Sequence, residues 1–148
     1  MRRAIIPVLL LLLMASCGTQ RLYYWGSTGD GTTRYKQLTY QQYDKQTPEA
    51  ICELVCLYEE MVTNPGGLRK MPPPGICAEY GYLLLQPTTA EYFAMHATKR
   101  QRKMFKSSNF EALFSERGEE MLAKEMELYP ESAKFIAPLL KRVKGGEK

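Results

Sequence analysis

Along this chain apolar residues recur at steps of three and four, and no stretch alternates as a strand would. The clearest face is Ile51, Leu54, Val55, Tyr58, Met61 and Val62, one apolar stripe on a helix. Thr47-Pro48-Glu49 opens it with a capping hydroxyl, a proline suited to the first helical position and an acid in the first turn. Asn64-Pro65-Gly66-Gly67 closes it. Before it, Arg34 to Lys45 sets Tyr35, Leu38 and Gln42 at helical spacing and predicts a short helix. After it, Met71-Pro72-Pro73-Pro74-Gly75 cannot be helical and leads into a helix over 76–86, apolar at 76, 77, 80, 83 and 84. A glycine inside that helix costs up to ~1 kcal/mol against alanine, so Gly81 predicts a close helix neighbour.

Pro87-Thr88-Thr89 restarts a helix, with Glu91 near its beginning, expected to run through Phe93 to Lys103. Ser107-Ser108-Asn109 caps a long helix from Phe110 to about Tyr129, apolar at Phe110, Leu113, Phe114, Met121, Leu122 and Met126. Tyr129-Pro130-Glu131-Ser132 breaks it. A last helix over 133–143 is expected to turn Phe135, Ile136, Leu139 and Leu140 inward and to kink at Pro138. The expected fold is all-α, with helical hairpins at 34–63 and 76–129 and a capping helix over 133–143. Paired helices with Gly81 and Tyr82 in the first, and the Tyr-Pro-Glu-Ser boundary after the second, look like a tetratricopeptide-type hairpin.

The N-terminus sets the address. Met1-Arg2-Arg3 precedes an apolar run from Ala4 to Met14, then Ala15-Ser16-Cys17. The run is too short for a membrane-spanning helix, which takes roughly 20 residues, and has the length and positive flank of a signal-peptide core. Small residues directly before a cysteine turn the reading to a bacterial lipoprotein, although Met14 stands where leucine is usual. Residues 1–16 are thus expected to be a signal peptide, Cys17 a lipidated N-terminus, 17–33 a tether with an aromatic and glycine-rich segment, and 34–148 one helical domain. A single acyl chain binds marginally, at about 0.8 kcal/mol per buried methylene; the several chains of a processed lipoprotein would make attachment effectively permanent. Gly18 rather than aspartate gives no argument for inner-membrane retention, so the expected location is the outer membrane, facing the periplasm.

Composition narrows the function classes. Removing 16 of 148 residues leaves 132 and takes Arg2 and Arg3 with it, lowering the formal net charge from +4 to +2. That balance does not point to nucleic acid. Beyond Cys17 there remain Cys52, Cys56 and Cys77, which allow one disulfide from Cys77 to either of the others, or three buried thiols. No metal-ligand spacing is present, and no cofactor is expected beyond the lipid on Cys17. Leu22-Tyr23-Tyr24-Trp25-Gly26 is either a contact patch or a lid folded onto the domain. The glycine-rich run after it lacks the Lys-Ser/Thr ending of a phosphate loop. Lys99-Arg100-Gln101-Arg102-Lys103, extended by Lys106, is either a site for phosphates or an acidic partner, or a solvated helix end. His96, the sole histidine, has no partner evident in the sequence.

The chain resembles the small Gram-negative lipoproteins of domain-of-unknown-function family 4810. The likeness rests on Leu22-Tyr23-Tyr24-Trp25-Gly26, on Pro73-Pro74-Gly75 leading into Ala78-Glu79-Tyr80-Gly81-Tyr82-Leu83-Leu84-Leu85-Gln86, and on Glu125-Met126-Glu127-Leu128-Tyr129-Pro130-Glu131-Ser132-Ala133-Lys134-Phe135-Ile136. Roughly 88–108 looks inserted relative to that pattern, so the resemblance assigns no role to the basic run or to His96. It implies a helical lipoprotein encoded beside a curli-secretion-channel-like lipoprotein and another small lipoprotein, and an accessory role in an outer-membrane assembly without enzyme activity. On this reading Tyr23, Tyr24, Trp25, Tyr80 and Tyr82 are the candidate partner-contact or packing residues. Two other functions fit the residues: a peptidoglycan- or lipopolysaccharide-binding envelope protein using the aromatic cluster and basic run, and a cysteine hydrolase using Cys77 and His96.

Overall fold

A computed structural model describes residues 21–26, 31–45 and 47–145. The signal segment and Cys17 lie outside these residues, as do positions 27–30 of the glycine-rich run. Among the described residues the fold is all-α, without strands. The helices are α1 (Arg34–Lys45), α2 (Pro48–Thr63), α3 (Ile76–Leu84), α4 (Pro87–His96), α5 (Lys99–Phe105), α6 (Phe110–Leu128) and, after a 3-10 turn at Pro130–Ser132, α7 (Ala133–Lys144). None is long and apolar enough to cross a membrane.

The core is organised around α2. Its predicted stripe is buried, and so are Ala50, Cys52, Cys56 and Leu57, so the helix is covered on most of its circumference. It packs against α1, α3, α4 and α5. Thr47 caps it as expected, its Oγ1 accepting the Ala50 N–H at 3.2 Å. The 34–63 hairpin forms as α1 on α2. In the second hairpin α3 packs along α6, and the two helices cross where glycine meets glycine. A Cβ at Gly81 would stand 2.7 Å from the Gly118 carbonyl oxygen. The close approach expected at Gly81 is present, and its counterpart is Gly118.

The inserted stretch folds differently from expectation. Instead of one helix over 87–103 there are two, because Thr98 begins a new one. Its Oγ1 accepts the Gln101 N–H at 3.3 Å while Gln101 Oε1 accepts the Thr98 N–H at 2.7 Å, a reciprocal capping box. The insertion also completes the core. Phe93 of α4 is buried among Phe105, Phe110 and Phe114, with ring centroids 5.1–5.2 Å from its own.

At the C-terminal end the expected inward position of Phe135 is corrected. Its side chain is 72% exposed, with Lys134 Nζ 4.8 Å from the ring centroid, while Ile136 is buried. Packing of α7 on α6 admits only one stripe, Ile136–Leu139–Leu140–Val143, and Phe135 lies about 100° off it. The helix runs on through Pro138.

Two segments that carry the family resemblance, far apart in sequence, meet in one joint. The α3 N-terminus has glycine at its cap position, with φ +88° and no side chain to offer. Glu125 of α6 supplies the acceptor instead, taking the Gly75 N–H at 2.7 Å and the Ala78 N–H at 3.4 Å. Tyr129 Oη donates to the Pro72 carbonyl at 2.6 Å. A carboxylate only 2% exposed is thereby stabilised by a helix N-terminus.

Candidate functional site

Four aromatic rings form a ladder through the domain. Trp25 tilts against Tyr35 (centroids 5.0 Å apart), Tyr35 against Tyr58 (6.2 Å) and Tyr58 against Tyr80 (5.7 Å). Buried or half-buried phenols need acceptors, and two glutamates provide them. Glu59 accepts from Tyr80 Oη at 2.7 Å, and Arg117 of α6 bridges to it at 2.9 Å. Arg117 also holds Glu120, so its one positive charge is shared between Glu59 and Glu120. Glu79 accepts from Tyr58 Oη at 2.7 Å and from Tyr35 Oη at 2.8 Å. Burial, together with that carboxylate, pushes both phenols above their usual range. No lysine or arginine among the described residues forms an ion pair with Glu79.

Glu79 stands in a cleft of about 460 Å³ between α1 and the α2–α3 pair. Tyr35, Tyr43, Tyr58 and Tyr82 supply its aromatic walls, Leu54 and Leu83 its aliphatic surface, and Gln42 reaches in from α1. Tyr82 is 56% exposed and Tyr43 is more open still. Gln42 Oε1 is shielded from solvent and has no hydrogen-bond partner. An open cavity of this size with apolar walls and a few fixed polar groups has the character of a binding site.

The five tyrosine and tryptophan candidates separate by position. Tyr80 is fully buried and bonded to Glu59, so it packs and cannot touch a surface partner. Tyr82 faces the cleft. Trp25 is half-buried against the core. Tyr24 donates to Glu60 at 3.0 Å and lies over Gly66. The Tyr23 ring has Arg69 at 6.0 Å from its centroid. Their backbone is fastened by the Leu68 N–H to the Arg21 carbonyl and the Arg69 N–H to the Leu22 carbonyl, each at 3.1 Å. Residues 21–26 are therefore a lid folded onto the domain. A shallower depression of about 450 Å³ between this lid and Gly67–Leu68 is lined by Tyr23, Tyr24 and Trp25.

The other sequence candidates lie elsewhere. Cys52, Cys56 and Cys77 are free, buried thiols; burial pushes them up to about 11, about 12 and about 12 respectively. A thiolate nucleophile needs the opposite shift. His96 does have a partner, Glu49 Oε1 at 3.3 Å from Nδ1, but no thiol or hydroxyl is bonded to it among the described residues. Lys99, Arg100, Arg102, Lys103 and Lys106 are all exposed around α5. No group of three or more potential metal ligands occurs among the described residues. What sequence reasoning missed is the cleft: Tyr35, Gln42, Tyr43, Tyr58 and Glu79 come from three helices, and only the i, i+4 spacing of Glu79 and Leu83 and the neighbouring Tyr82 hint that one face of α3 is shared.

No family, curated protein or solved structure matches this chain, so the resemblance to the lipoprotein family rests on the quoted residues alone.

Proposed function

We propose that this protein is a lipid-anchored outer-membrane lipoprotein that acts as a non-enzymatic accessory subunit, holding a partner chain in the cleft between α1 and α3. The partner implied by the family resemblance is a curli-secretion-channel-like lipoprotein, with a further small lipoprotein in the same assembly. The observation that carries the reading is the open aromatic cleft around Tyr82 and Glu79; the pattern of residues 1–16 before Cys17, read as a lipoprotein signal peptide, supports the anchor. The α1–α2 and α3–α6 hairpins supply the tetratricopeptide-like element of this proposal. The raised thiol pKa values and the absence of a nucleophile at His96 among the described residues weigh against the cysteine-hydrolase alternative.

The test is crosslinking in intact cells, purification through a C-terminal tag and mass spectrometry. A channel-like lipoprotein recovered in stoichiometric amount supports the proposal, and Cys17→Ala should release the protein from the membrane fraction. Peptidoglycan fragments or lipopolysaccharide recovered without a protein partner would replace it with the envelope-binding reading. That second reading draws on the exposed cations of α5, none of which is ion-paired with another described residue and which suit phosphate groups.

A further inference from the structure

The charge of the cleft is one-sided. Its charged group is a carboxylate, Glu79, with no basic partner among the described residues. Its shielded polar atom is an acceptor, Gln42 Oε1, left without a donor. Its walls are phenol rings, whose faces carry negative potential. No lysine or arginine lines it, although the chain has 20 of them against 16 acidic residues. The phenol hydroxyls nearest the carboxylate, on Tyr35 and Tyr58, already donate to Glu79, and the Thr39 hydroxyl donates back to the Tyr35 carbonyl at 2.8 Å. These protons are therefore spent within the fold, and the Glu79 carboxylate is left on the open cleft with no cation beside it among the described residues.

Building on the partner-holding role proposed above, we infer that the cleft receives a basic side chain of the partner, an arginine or lysine, seated between the tyrosine rings with its N–H groups on Glu79. A guanidinium fits this environment best. It stacks on an aromatic face and presents several planar donors at once, so one group can meet both the carboxylate and a tyrosine ring. A metal ion does not fit, because the cleft offers one carboxylate and no histidine or cysteine. The exposed Tyr82 and Tyr43 at the rim would cover the alkyl stem of the entering side chain. The resulting contact is a cation held on a carboxylate between aromatic walls.

The probe is N-acetyl-arginine methylamide, titrated into the full chain and followed by amide NMR. The protein is held in a neutral maltoside detergent, because detergents with quaternary ammonium headgroups would compete for the same rings. N-acetyl-citrulline methylamide, nearly isosteric but uncharged, is the control. Saturable shifts at Gln42, Glu79 and Tyr82, weakened roughly tenfold or more with citrulline, are the expected result. Glu79→Gln should bring arginine binding down to the citrulline level. Tyr82→Ala removes an exposed wall without touching the core and should weaken arginine several-fold, which decides the matter if Glu79→Gln loosens Tyr35 and Tyr58. Equal binding of the two probes, or no saturable shift in the cleft, would overturn the inference. Saturation of these resonances by a disaccharide-peptide fragment of peptidoglycan, with arginine inert, would also overturn it. The titration needs no partner, so its failure leaves the accessory-subunit role to the crosslinking test; arginine binding with no partner protein recovered would remove that role instead.

Discussion

Replacing Gly81 with alanine sets two effects of similar size against each other, and the structure says which prevails. Alanine favours a helix interior over glycine by up to ~1 kcal/mol, so on an open helix face the change would stabilise. Here the new methyl would stand 2.7 Å from the Gly118 carbonyl oxygen, 3.0 Å from Leu122 Cγ and 3.1 Å from the Leu122 nitrogen. Two of those three atoms are backbone and cannot rotate away, so α3 and α6 must separate along their main contact. Overpacking of this kind costs about 1–3 kcal/mol, which leaves a net loss of up to about 2 kcal/mol once the propensity gain is subtracted. At roughly 3–6 °C per kcal/mol for a domain of this size, Gly81→Ala should melt several degrees below the parent by circular dichroism at 222 nm. Gly118→Ala is the internal control. Its methyl meets the movable Leu85 side chain at 2.7 Å and the Gly81 oxygen at 3.1 Å, so it should lose less. Gly81→Ala melting at or above the parent would refute the close crossing of α3 and α6.

Three further outcomes follow from buried polar groups. Burial raises the Glu125 carboxyl above its ordinary 4.5, against the lowering effect of the Gly75, Ala78 and Cys77 N–H groups. Its folded-state pKa exceeds its unfolded one, so the stability it contributes is fully present below the unfolded pKa and is lost as pH rises through the folded one. Glu125→Gln should therefore gain stability relative to the parent between pH 4 and pH 7 in urea titrations, and parallel curves would contradict the burial argument. Arg117→Ala leaves Glu59 and Tyr80 without their cation; because the pair is only partly buried, the loss should be about 1–3 kcal/mol, below the ~3–5 of a fully buried pair, and a melting point equal to the parent's would remove Arg117 as the tie between α2 and α6. Cys52, Cys56 and Cys77 should react slowly with a thiol-specific reagent at pH 8 in the native protein and quickly after unfolding in urea, whereas rapid native labelling would contradict their burial.

Much of the architecture was legible because it is local. The α2 stripe, its Thr47 cap, the Asn109 cap of α6 and the proline-rich connector each depend on residues within a turn or two of one another. Thr98-Lys99-Arg100-Gln101 has the spacing of a capping box too, but the helix from Pro87 was read straight through it to Lys103. Other features depend on contacts that cross the insertion. Gly81 announced a close neighbour without identifying Gly118, because that pairing joins residues on either side of α4 and α5. Glu125 sits among Glu119, Glu120 and Glu127 in a run that reads as solvated; only the folded chain brings it under the glycine-capped start of α3. The cleft was the least legible part. Its tyrosines look like ordinary amphipathic residues on separate helices, and what distinguishes them is that Glu79 and Gln42 share one cavity with no cation. Of the candidates named from the sequence, Tyr82 lies in that cavity, while Tyr80 is spent on packing.

The central claim is that the cleft is where the partner sits. A photo-crosslinking amino acid placed at Tyr82 in intact cells tests it most directly, with Phe135, still more exposed but on α7, as the comparison position. The account predicts one dominant adduct at Tyr82, containing a channel-like outer-membrane lipoprotein, absent at Phe135 and lost when Glu79→Gln is introduced. An adduct to that lipoprotein at Phe135 but not at Tyr82, or only glycan or lipid adducts at Tyr82, would contradict it.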